Sequence, residues 1–389
     1  MECIDAAAMA ITRIQIMKKV VVISNTTWNA WNYRQSLNKG LLAAGYKVSV
    51  FASKDGFEKN LKEKMGISTK GIYLSAKGLN PLLDVFSFLQ IFILLLWTRP
   101  DVVLTFTIKP VIYGGLACRI LGIPCVPTLT GLGTVFIRQN WVTSLVINLY
   151  RYSLKSSLKI IFQNKEDQNL FLNTGIVKEK QTYLVPGSGV NTDEFSIDRF
   201  PLREKSQNLT FLLVARMLKD KGILEYVKAA EVLKKKYPFC HFQLLGPSDV
   251  QNRTAISRQE ILKWEEQGWI EYLGESLDVA SFLSKSDVAV LPSYREGMPR
   301  SLLEAASMSL PLVATDVPGC RDLLINQNGF LCQPENPESL AKAMENMILS
   351  KEQQRLIMGR NSRQMILEKF SEKIIIEKYL EVLDTVKKN

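Results

Sequence analysis

Apolar residues along the chain alternate between short runs and longer segments with helical spacing. The short β-branched or aliphatic runs predict buried strands. The segments between them, such as 31–44, place apolar residues three or four positions apart, which predicts helices. A first series of strands is predicted at residues 20–24, 47–51, 71–74, 102–106, 125–129, 159–162 and 182–185.

A second series follows the polar stretch 198–208, which is typical of a linker. Its strands are predicted at residues 209–215, 241–245, 270–273, 288–291, 312–315 and 330–332, and its closing helices at 337–349, 352–370 and 372–387. Strands that alternate with helices at this spacing favour an α/β fold with parallel sheets, here two doubly wound, Rossmann-like domains. A chain of 389 residues is also longer than one core usually supports. We expect an N-terminal domain at 17–200, a C-terminal domain at 201–370 and a last helix at 371–389.

Composition and charge narrow the classes of function. Apolar residues at 47% and charged residues at 22% are ordinary for a globular protein. The formal charge of +11 favours an anionic partner, such as a phosphorylated substrate or the inner face of a bacterial membrane. The basic residues are interspersed with acidic ones, so nucleic-acid binding is not expected. Scattered cysteines argue against a disulfide framework, and the single histidine, His241, excludes serine-histidine-aspartate hydrolysis and multi-histidine metal sites.

One loop, between a predicted strand and a helix predicted at 301–308, is rich in functional side chains. Pro299 suits the first helical position, so free backbone N–H groups and the positive end of the helix dipole should face an anion there. Glu296 and Glu304 flank that position and can accept hydrogen bonds from sugar hydroxyls, as a nucleotide sugar would require. An alternative stays open, because Ser301 and Glu304 also match a capping box in which Glu304 only bonds a backbone N–H.

A second strand end carries positive charge. Arg216 and Lys221 lie between the strand at 209–215 and a helix expected to start near Gly222. Two cations beside helix N–H groups can neutralise a diphosphate, so both are predicted to bind the phosphates of a nucleotide. A solvated charged surface is the alternative. No Asp-x-Asp motif stands in a suitable strand-end loop, so neither a metal ion nor another cofactor is expected.

Loops after other strands supply further candidates. The segment 24–34 contains Asn25, Trp28 and Arg34, and its aromatic ring and amide suit sugar stacking and hydrogen bonding. This segment has no glycine, which argues against the dinucleotide site of an oxidoreductase. The glycine-containing segment 130–133 follows another strand and offers flexible backbone N–H groups.

Glu296 with Gly297 behind it, and Glu304 with Ala305 behind it, resemble the motif of retaining glycosyltransferases of family 4. The resemblance covers nearly the whole chain from Met17. The segments that carry it are 105–115, 131–136, 216–222 and 292–305. It implies the GT-B architecture, in which two Rossmann-like domains face each other across a cleft and the last helix crosses back to the first domain.

The resemblance also implies roles for individual residues. Glu296 would contact the donor sugar, Glu304 would hold the nucleotide ribose, and the catalytic residues would be Glu296, Arg216 and Lys221. The donor-binding residues would be Glu304, Gly297, Met298, Pro299, Arg300, Ser301, Leu273, Gly274, Thr130, Gly131 and Gly133. The acceptor-binding residues would be Asn25, Trp28, Arg34 and Lys109. This chain departs from many family members by lacking a histidine at 105–110.

Within the family, the resemblance is to bacterial N-acetylgalactosaminyltransferases that act on undecaprenyl-diphosphate-linked saccharides. It implies transfer of N-acetylgalactosamine from UDP-GalNAc to such an acceptor during surface-glycan or glycoprotein-glycan assembly. A family 4 transferase with another hexose donor and a soluble or lipopolysaccharide acceptor is the alternative. A non-catalytic nucleotide-sugar-binding protein would be expected to lose Glu296, Arg216 or Lys221, and all three are present.

The most apolar segment, 82–97, predicts a helix of the first domain, because it is short for a membrane span and contains Asp84. One side of it carries Phe86, Phe88, Ile93 and Trp97 and could lie in a membrane interface. We therefore expect a cytoplasmic enzyme bound peripherally to the inner face of the membrane. Residues 1–16 lack a signal-peptide pattern, and the working chain is expected to begin near Met17.

Overall fold

The computed structural model describes residues 18–74, 80–131, 141–201, 208–250 and 252–387. In this part of the chain, the N-terminal sheet consists of β1 (Lys19–Thr26), β2 (Lys47–Ser53), β3 (Ser68–Gly71), β4 (Val102–Phe106), β5 (Cys125–Leu129), β6 (Ile160–Phe162) and β7 (Thr182–Leu184). The strands are parallel and lie in the order β3-β2-β1-β4-β5-β6-β7. The order reverses between β1 and β4, where open α/β sheets bind ligands at the carboxyl ends of their strands.

The C-terminal sheet repeats this arrangement. Its described strands are β8 (Leu209–Val214), β9 (Cys240–Leu245), β10 (Glu271–Tyr272), β11 (Val288–Leu291), β12 (Leu312–Thr315) and β13 (Gly329–Cys332). They are parallel and lie in the order β10-β9-β8-β11-β12-β13, so this order reverses between β8 and β11. The predicted α/β fold with two doubly wound sheets is confirmed.

Helices cover both faces of each sheet. Those of the first domain are α1 (Thr27–Asn32), α2 (Gln35–Ala43), α3 (Glu58–Met65), α4 (Pro81–Thr98), α5 (Ile108–Leu121), α6 (Trp141–Leu154) and α7 (Lys165–Asn173). The later helices are α8 (Ile223–Lys236), α9 (Arg258–Glu266), α10 (Val279–Leu283), α11 (Arg300–Ser307), α12 (Pro337–Leu349), α13 (Glu352–Met365) and α14 (Glu372–Lys387). Short 3-10 turns occur at Glu179–Gln181, Ile197–Arg199, Lys219–Lys221 and Arg321–Leu323, and a π turn at Ile366–Phe370.

Two predicted elements differ from the structure. The strand expected at 71–74 is instead β3, whose polar residues pair through their backbone with the edge of β2. Ile72 and Leu74 are buried just beyond that strand. The apolar pattern therefore indicated residues that contact the core, and it did not indicate the polar edge strand before them. The helix expected at 31–44 is divided into α1 and α2, because Arg34 leaves the helical region with φ −125°.

The last helix, α14, packs against the first domain. Ile375 and Tyr379 belong to the core on one face of the N-terminal sheet, together with Val22 and Leu104. The Tyr379 hydroxyl also lies 3.1 Å from the hydroxyl of Thr128 on β5. One face of the first domain therefore depends on residues that follow the second domain in sequence.

Helix α4 exposes an apolar stripe. By length and composition alone, it is the one helix among the described residues apolar enough to cross a membrane. Ser87, Ile91 and Leu95 face the first domain and are buried. The exposed apolar side chains are Leu82, Val85, Phe86, Leu89, Ile93, Leu96 and Trp97. Phe88, predicted to share this outer face, is half-buried and packs against the core, so that part of the prediction is wrong.

Candidate active site

The loops after β8 and β11 are held together by backbone contacts. Gly222 has φ +72°, and a Cβ atom at this position would lie 2.0 Å from the carbonyl oxygen of Pro292. Only glycine permits this approach. The Tyr294 N–H donates to the carbonyl oxygen of Asp220 at 3.0 Å, and the Ser293 hydroxyl donates to the same oxygen at 3.1 Å. The two charged loops predicted from the sequence therefore meet.

Lys221 and Glu296 are in direct contact at this junction. The Lys221 ammonium donates to Glu296 Oε1, and the Ser293 hydroxyl donates to the same oxygen at 2.7 Å. Both charged side chains are largely buried. Arg216 is exposed on the same loop, with no ion pair recorded for it among the described residues. The junction thus combines an ion pair with an accessible cation, an arrangement suited to phosphate.

Glu304 lies in the first turns of α11 and is paired with Arg300. Arg300 Nε donates to Glu304 Oε1 at 2.6 Å. Burial raises the pKa of Glu304, and the Arg300 guanidinium opposes that rise. The capping box is absent, because Glu304 bonds Arg300 and α11 has no side-chain cap. Pro299 is the N-cap residue with ψ 114°, one position before the predicted first helical position.

Tyr33 connects Arg300 to the first domain, and the sequence analysis did not single it out. The Arg300 guanidinium lies 5.6 Å from the centre of the Tyr33 ring. The centres of the Tyr33 and Trp28 rings lie 5.2 Å apart, and the two rings are nearly perpendicular. Partial desolvation raises the pKa of Tyr33, and nearby Arg300, Lys221 and Arg216 oppose the rise. The sequence feature that could have identified Tyr33 is its position next to Arg34, in the segment that follows the first strand.

The start of α1, directly after β1, is contacted by a carboxylate from the loop after β2. Asp55 accepts a hydrogen bond from the Trp28 N–H at 2.9 Å and another from the Thr27 hydroxyl. This helix N-terminus is therefore neutralised by the protein and is poorly suited to a phosphate. Asn25 accepts from the Thr107 hydroxyl at 2.8 Å. The half-buried Trp28 ring and the Asn25 amide suit neutral sugar hydroxyls.

Arg34 and Lys109, both predicted acceptor-binding residues, differ in their surroundings. Arg34 is 6% exposed and its guanidinium carbon lies 4.1 Å from the centre of the Phe106 ring. Burial lowers the pKa of Arg34, and no carboxylate ion pair is recorded for it within the described ranges. Lys109 instead forms an ion pair of 2.8 Å with Asp84 of α4.

Gly297 and its neighbours make contacts between the two domains. A Cβ atom on Gly297 would lie 2.4 Å from the carbonyl oxygen of Thr130, and one on Gly131 would lie 3.0 Å from the Gly297 nitrogen. Met298 packs against Gly187, at the junction between the domains. The structure therefore brings the loop after β5 against the Glu296 loop. Gly133 lies outside the described residues.

Leu273 and Gly274 follow β10, at the far edge of the C-terminal sheet. Leu273 packs on the core beneath β11. The Gly274 carbonyl oxygen accepts a hydrogen bond of 2.7 Å from the Gly246 N–H. Two strands, β9 and β8, lie between β10 and β11 in the sheet. Leu273 and Gly274 therefore lie apart from Glu296, which follows β11. Ser301 is half-buried on α11, near Glu304.

Metal ligands do not cluster in the described part of the chain. Among these residues, no group of three or more histidine, cysteine, aspartate or glutamate side chains could hold a metal ion. His241 is half-buried on β9, away from the loops described above.

Two parallel-sheet domains that meet at their strand-end loops define a protein of the GT-B class. Residues 19–164 match the family Glycosyl transferase 4-like, and residues 194–365 match Glycosyl transferases group 1. The chain therefore belongs to the glycosyltransferases of these families, and it is an enzyme.

Relatives of known name agree with this assignment. The chain is 29% identical to N,N'-diacetylbacillosaminyl-diphospho-undecaprenol alpha-1,3-N-acetylgalactosaminyltransferase of Campylobacter jejuni, over 85% of this chain and 89% of that protein. It is 28% identical to UDP-Gal:alpha-D-GlcNAc-diphosphoundecaprenol alpha-1,3-galactosyltransferase of Escherichia coli, over 67% and 70% of the two chains. The crystal structure of Anabaena Alr3699/HepE with UDP and glucose superposes with a TM-score of 0.75 at 18% identity, over 94% of this chain and 99% of that one.

Proposed function

We propose that the enzyme transfers N-acetylgalactosamine from UDP-GalNAc to an undecaprenyl-diphosphate-linked saccharide, with retention of the anomeric configuration. The observation that carries this proposal is the contact between Lys221 and Glu296 beside the exposed Arg216. The contact supports the proposal because a cation suited to phosphate and a carboxylate suited to sugar hydroxyls lie side by side. Two relatives with undecaprenol-linked acceptors in their names support the acceptor class.

In this proposal the donor binds along the C-terminal domain. Arg216 and Lys221 hold the diphosphate, and Glu296 accepts a hydrogen bond from a sugar hydroxyl. Glu304 accepts hydrogen bonds from the ribose once the donor is present, while the ion pair with Arg300 favours its charged form against the effect of burial. The loop at Leu273 and Gly274 receives the base, and the backbones of the 297–301 and 130–131 segments line the remaining donor contacts.

The chemical step follows from these charges. The bond between the anomeric carbon and the diphosphate oxygen breaks, and the same carbon bonds to the acceptor hydroxyl oxygen on the same face. The proton of that hydroxyl passes to the departing phosphate oxygen. Arg216 and Lys221 stabilise the negative charge that grows on the diphosphate, so neither a protein nucleophile nor a metal ion is required. EDTA should therefore leave turnover unchanged, and inhibition reversed by Mn²⁺ would contradict this mechanism.

The acceptor binds to the first domain. Arg34 is a buried cation without a recorded carboxylate ion pair in the described ranges, which suits the acceptor diphosphate. Trp28 and Asn25 contact the acceptor saccharide. Lys109 is paired with Asp84, so it would contact the acceptor only after that ion pair breaks.

A lipid-linked acceptor requires the enzyme to reach a membrane. The exposed stripe on α4 begins at Leu82, close to the Lys109–Asp84 pair at the edge of the cleft, and ends at Trp97. The proposal places this stripe in the interface of the cytoplasmic membrane on its inner face, where the net charge of +11 favours anionic lipid. The catalytic cleft then faces lipid-linked substrate.

The test uses purified enzyme with separate UDP- and GDP-sugars and a synthetic undecaprenyl-diphosphate-linked saccharide. We expect UDP release from UDP-GalNAc that depends on the lipid-linked saccharide, with an α-anomeric proton coupling in the product. Release without any acceptor would be hydrolysis by water and would contradict transfer to this acceptor, whereas release that requires an added soluble saccharide or lipopolysaccharide would favour the alternative. No release from any donor would overturn the proposed activity.

A further inference from the structure

Arg295, the residue before Glu296, forms an ion pair across the domain boundary. Its guanidinium donates to Asp167, which lies in the first turn of α7 in the other domain. The Asn164 side chain donates to the Gly297 carbonyl oxygen at 2.9 Å, on the other side of Glu296. Both neighbours of Glu296 in sequence are therefore held by the first domain.

The Asp167–Arg295 ion pair is shielded from water on the Asp167 side, so its loss should affect the loop contact. The Asp167 side chain is 1% exposed, and Asn164 also donates to it at 3.1 Å. Arg295 Nε is buried, and no hydrogen-bond partner is recorded for it within the described ranges. Removing one member leaves the other charge uncompensated while the loops stay joined, so replacing either residue should disturb the contact between the two loops.

A neighbouring pair offers a contrast. Glu166, adjacent to Asp167, pairs with Arg321 of the second domain. These side chains are 46% and 39% exposed, and Arg321 also bonds Asp316. Exposed pairs of this kind contribute little, because water screens both charges. The same turn of α7 thus carries one buried and one exposed contact to the second domain.

From this geometry we infer that Asp167 and Arg295 are positioning residues that fix the Glu296 loop when the two domains meet. The inference rests on the role proposed above for Glu296. The proposed phosphate and ribose contacts, Arg216, Lys221 and Glu304, all belong to the second domain, so UDP binding does not need the pair. Transfer needs Glu296 placed correctly against an acceptor held by the first domain. Loss of the pair should therefore lower kcat and leave UDP affinity unchanged.

The experiment compares Asp167→Asn, Arg295→Gln and their double variant with the exposed-pair controls Glu166→Gln and Arg321→Gln. Small misplacement of reacting groups is expected to lower kcat by about tenfold to a hundredfold in each variant of the buried pair. The double variant should lose no more than the singles, because they remove the same contact. Both controls should retain kcat, and Arg295→Lys should recover part of it. Isothermal titration with UDP should give the same Kd throughout.

A second measurement does not depend on the chemistry of the donor. Small-angle X-ray scattering should give a larger radius of gyration for Asp167→Asn and Arg295→Gln than for the wild type and the exposed-pair controls. Thermal unfolding checks that each variant is folded, and Arg295→Gln provides the test if Asp167→Asn does not fold. Unchanged kcat and unchanged scattering in folded Arg295→Gln would overturn the inference, as would equal losses in the exposed-pair controls. Failure of the wild type to bind UDP would instead count against the proposed donor, while the scattering comparison would still judge the pair.

Discussion

Lys221 and Glu296 form an ion pair although they are 75 residues apart in the sequence. The pair joins the loop after β8 to the loop after β11, and the Ser293 hydroxyl donates to the same carboxylate oxygen. A phosphate that reaches Lys221 must compete with this carboxylate. Donor binding should therefore transfer Lys221 from Glu296 to the phosphate and free Glu296 for the sugar.

Replacing Glu296 by glutamine should separate binding from turnover. Without the competing carboxylate, UDP should bind a few-fold more tightly, while transfer should fall by about a hundredfold or more. Lys221→Ala should weaken UDP binding by about tenfold, because a charged phosphate contact is lost. Isothermal titration and steady-state kinetics measure both effects. Lys235→Ala removes an exposed helical ion pair and serves as the control. Normal kcat in Glu296→Gln would show that its role is misassigned.

Glu304 should make UDP binding depend on pH. Burial raises the pKa of Glu304, and the carboxylate must be ionised to accept the ribose hydroxyls. As pH falls through this raised pKa, Glu304 takes up a proton, so UDP affinity should decline at a higher pH than an ordinary glutamate would cause.

Titration of wild-type enzyme and Glu304→Gln at a series of pH values tests this dependence. The variant should lack this part of the profile. Inorganic diphosphate has no ribose, so its decline should reflect only its own protonation and should be the same in wild type and Glu304→Gln. An equal decline for UDP and diphosphate would assign the effect to the phosphate site.

The sequence predicted the sheet architecture and the two charged strand ends, because periodicity and glycine positions are local features. It did not predict how Glu304 is satisfied, since a capping box and the observed pair with Arg300 use the same helical turn. It also missed Asp167, where an asparagine cap followed by an acid looks like an ordinary helix start. Its role comes from Arg295, which reaches it only through the packing of the two domains.

Gly297→Ala tests the close approach between the domains. The new methyl group would meet the Thr130 carbonyl oxygen at 2.4 Å, so the Glu296 loop must move away from β5. We expect turnover to fall by about tenfold or more, with UDP affinity much less affected. The control is Gly71→Ala, where the added atom meets only the flexible end of Lys54 at 3.0 Å. Equal activity in both variants would mean that the loop tolerates displacement.

The α4 stripe should determine membrane binding. Leu89→Gln with Ile93→Gln removes two exposed apolar side chains without disturbing the buried face of the helix. Flotation with phosphatidylglycerol vesicles should recover less of this variant than of the wild type. Leu356→Gln with Ile357→Gln removes similar exposed area from the second domain and should float normally. Unchanged flotation of the α4 variant would exclude the stripe as the membrane contact.

Packing of α14 against the first domain has a consequence for biosynthesis. Ile375, Tyr379 and Val382 complete a core whose strands leave the ribosome long before these residues are made. During translation, the part of this apolar face that α14 covers stays exposed while the second domain is synthesised. Nascent chains halted after β13 should therefore be protease-sensitive and bind chaperones, even though every strand of the first domain is already present.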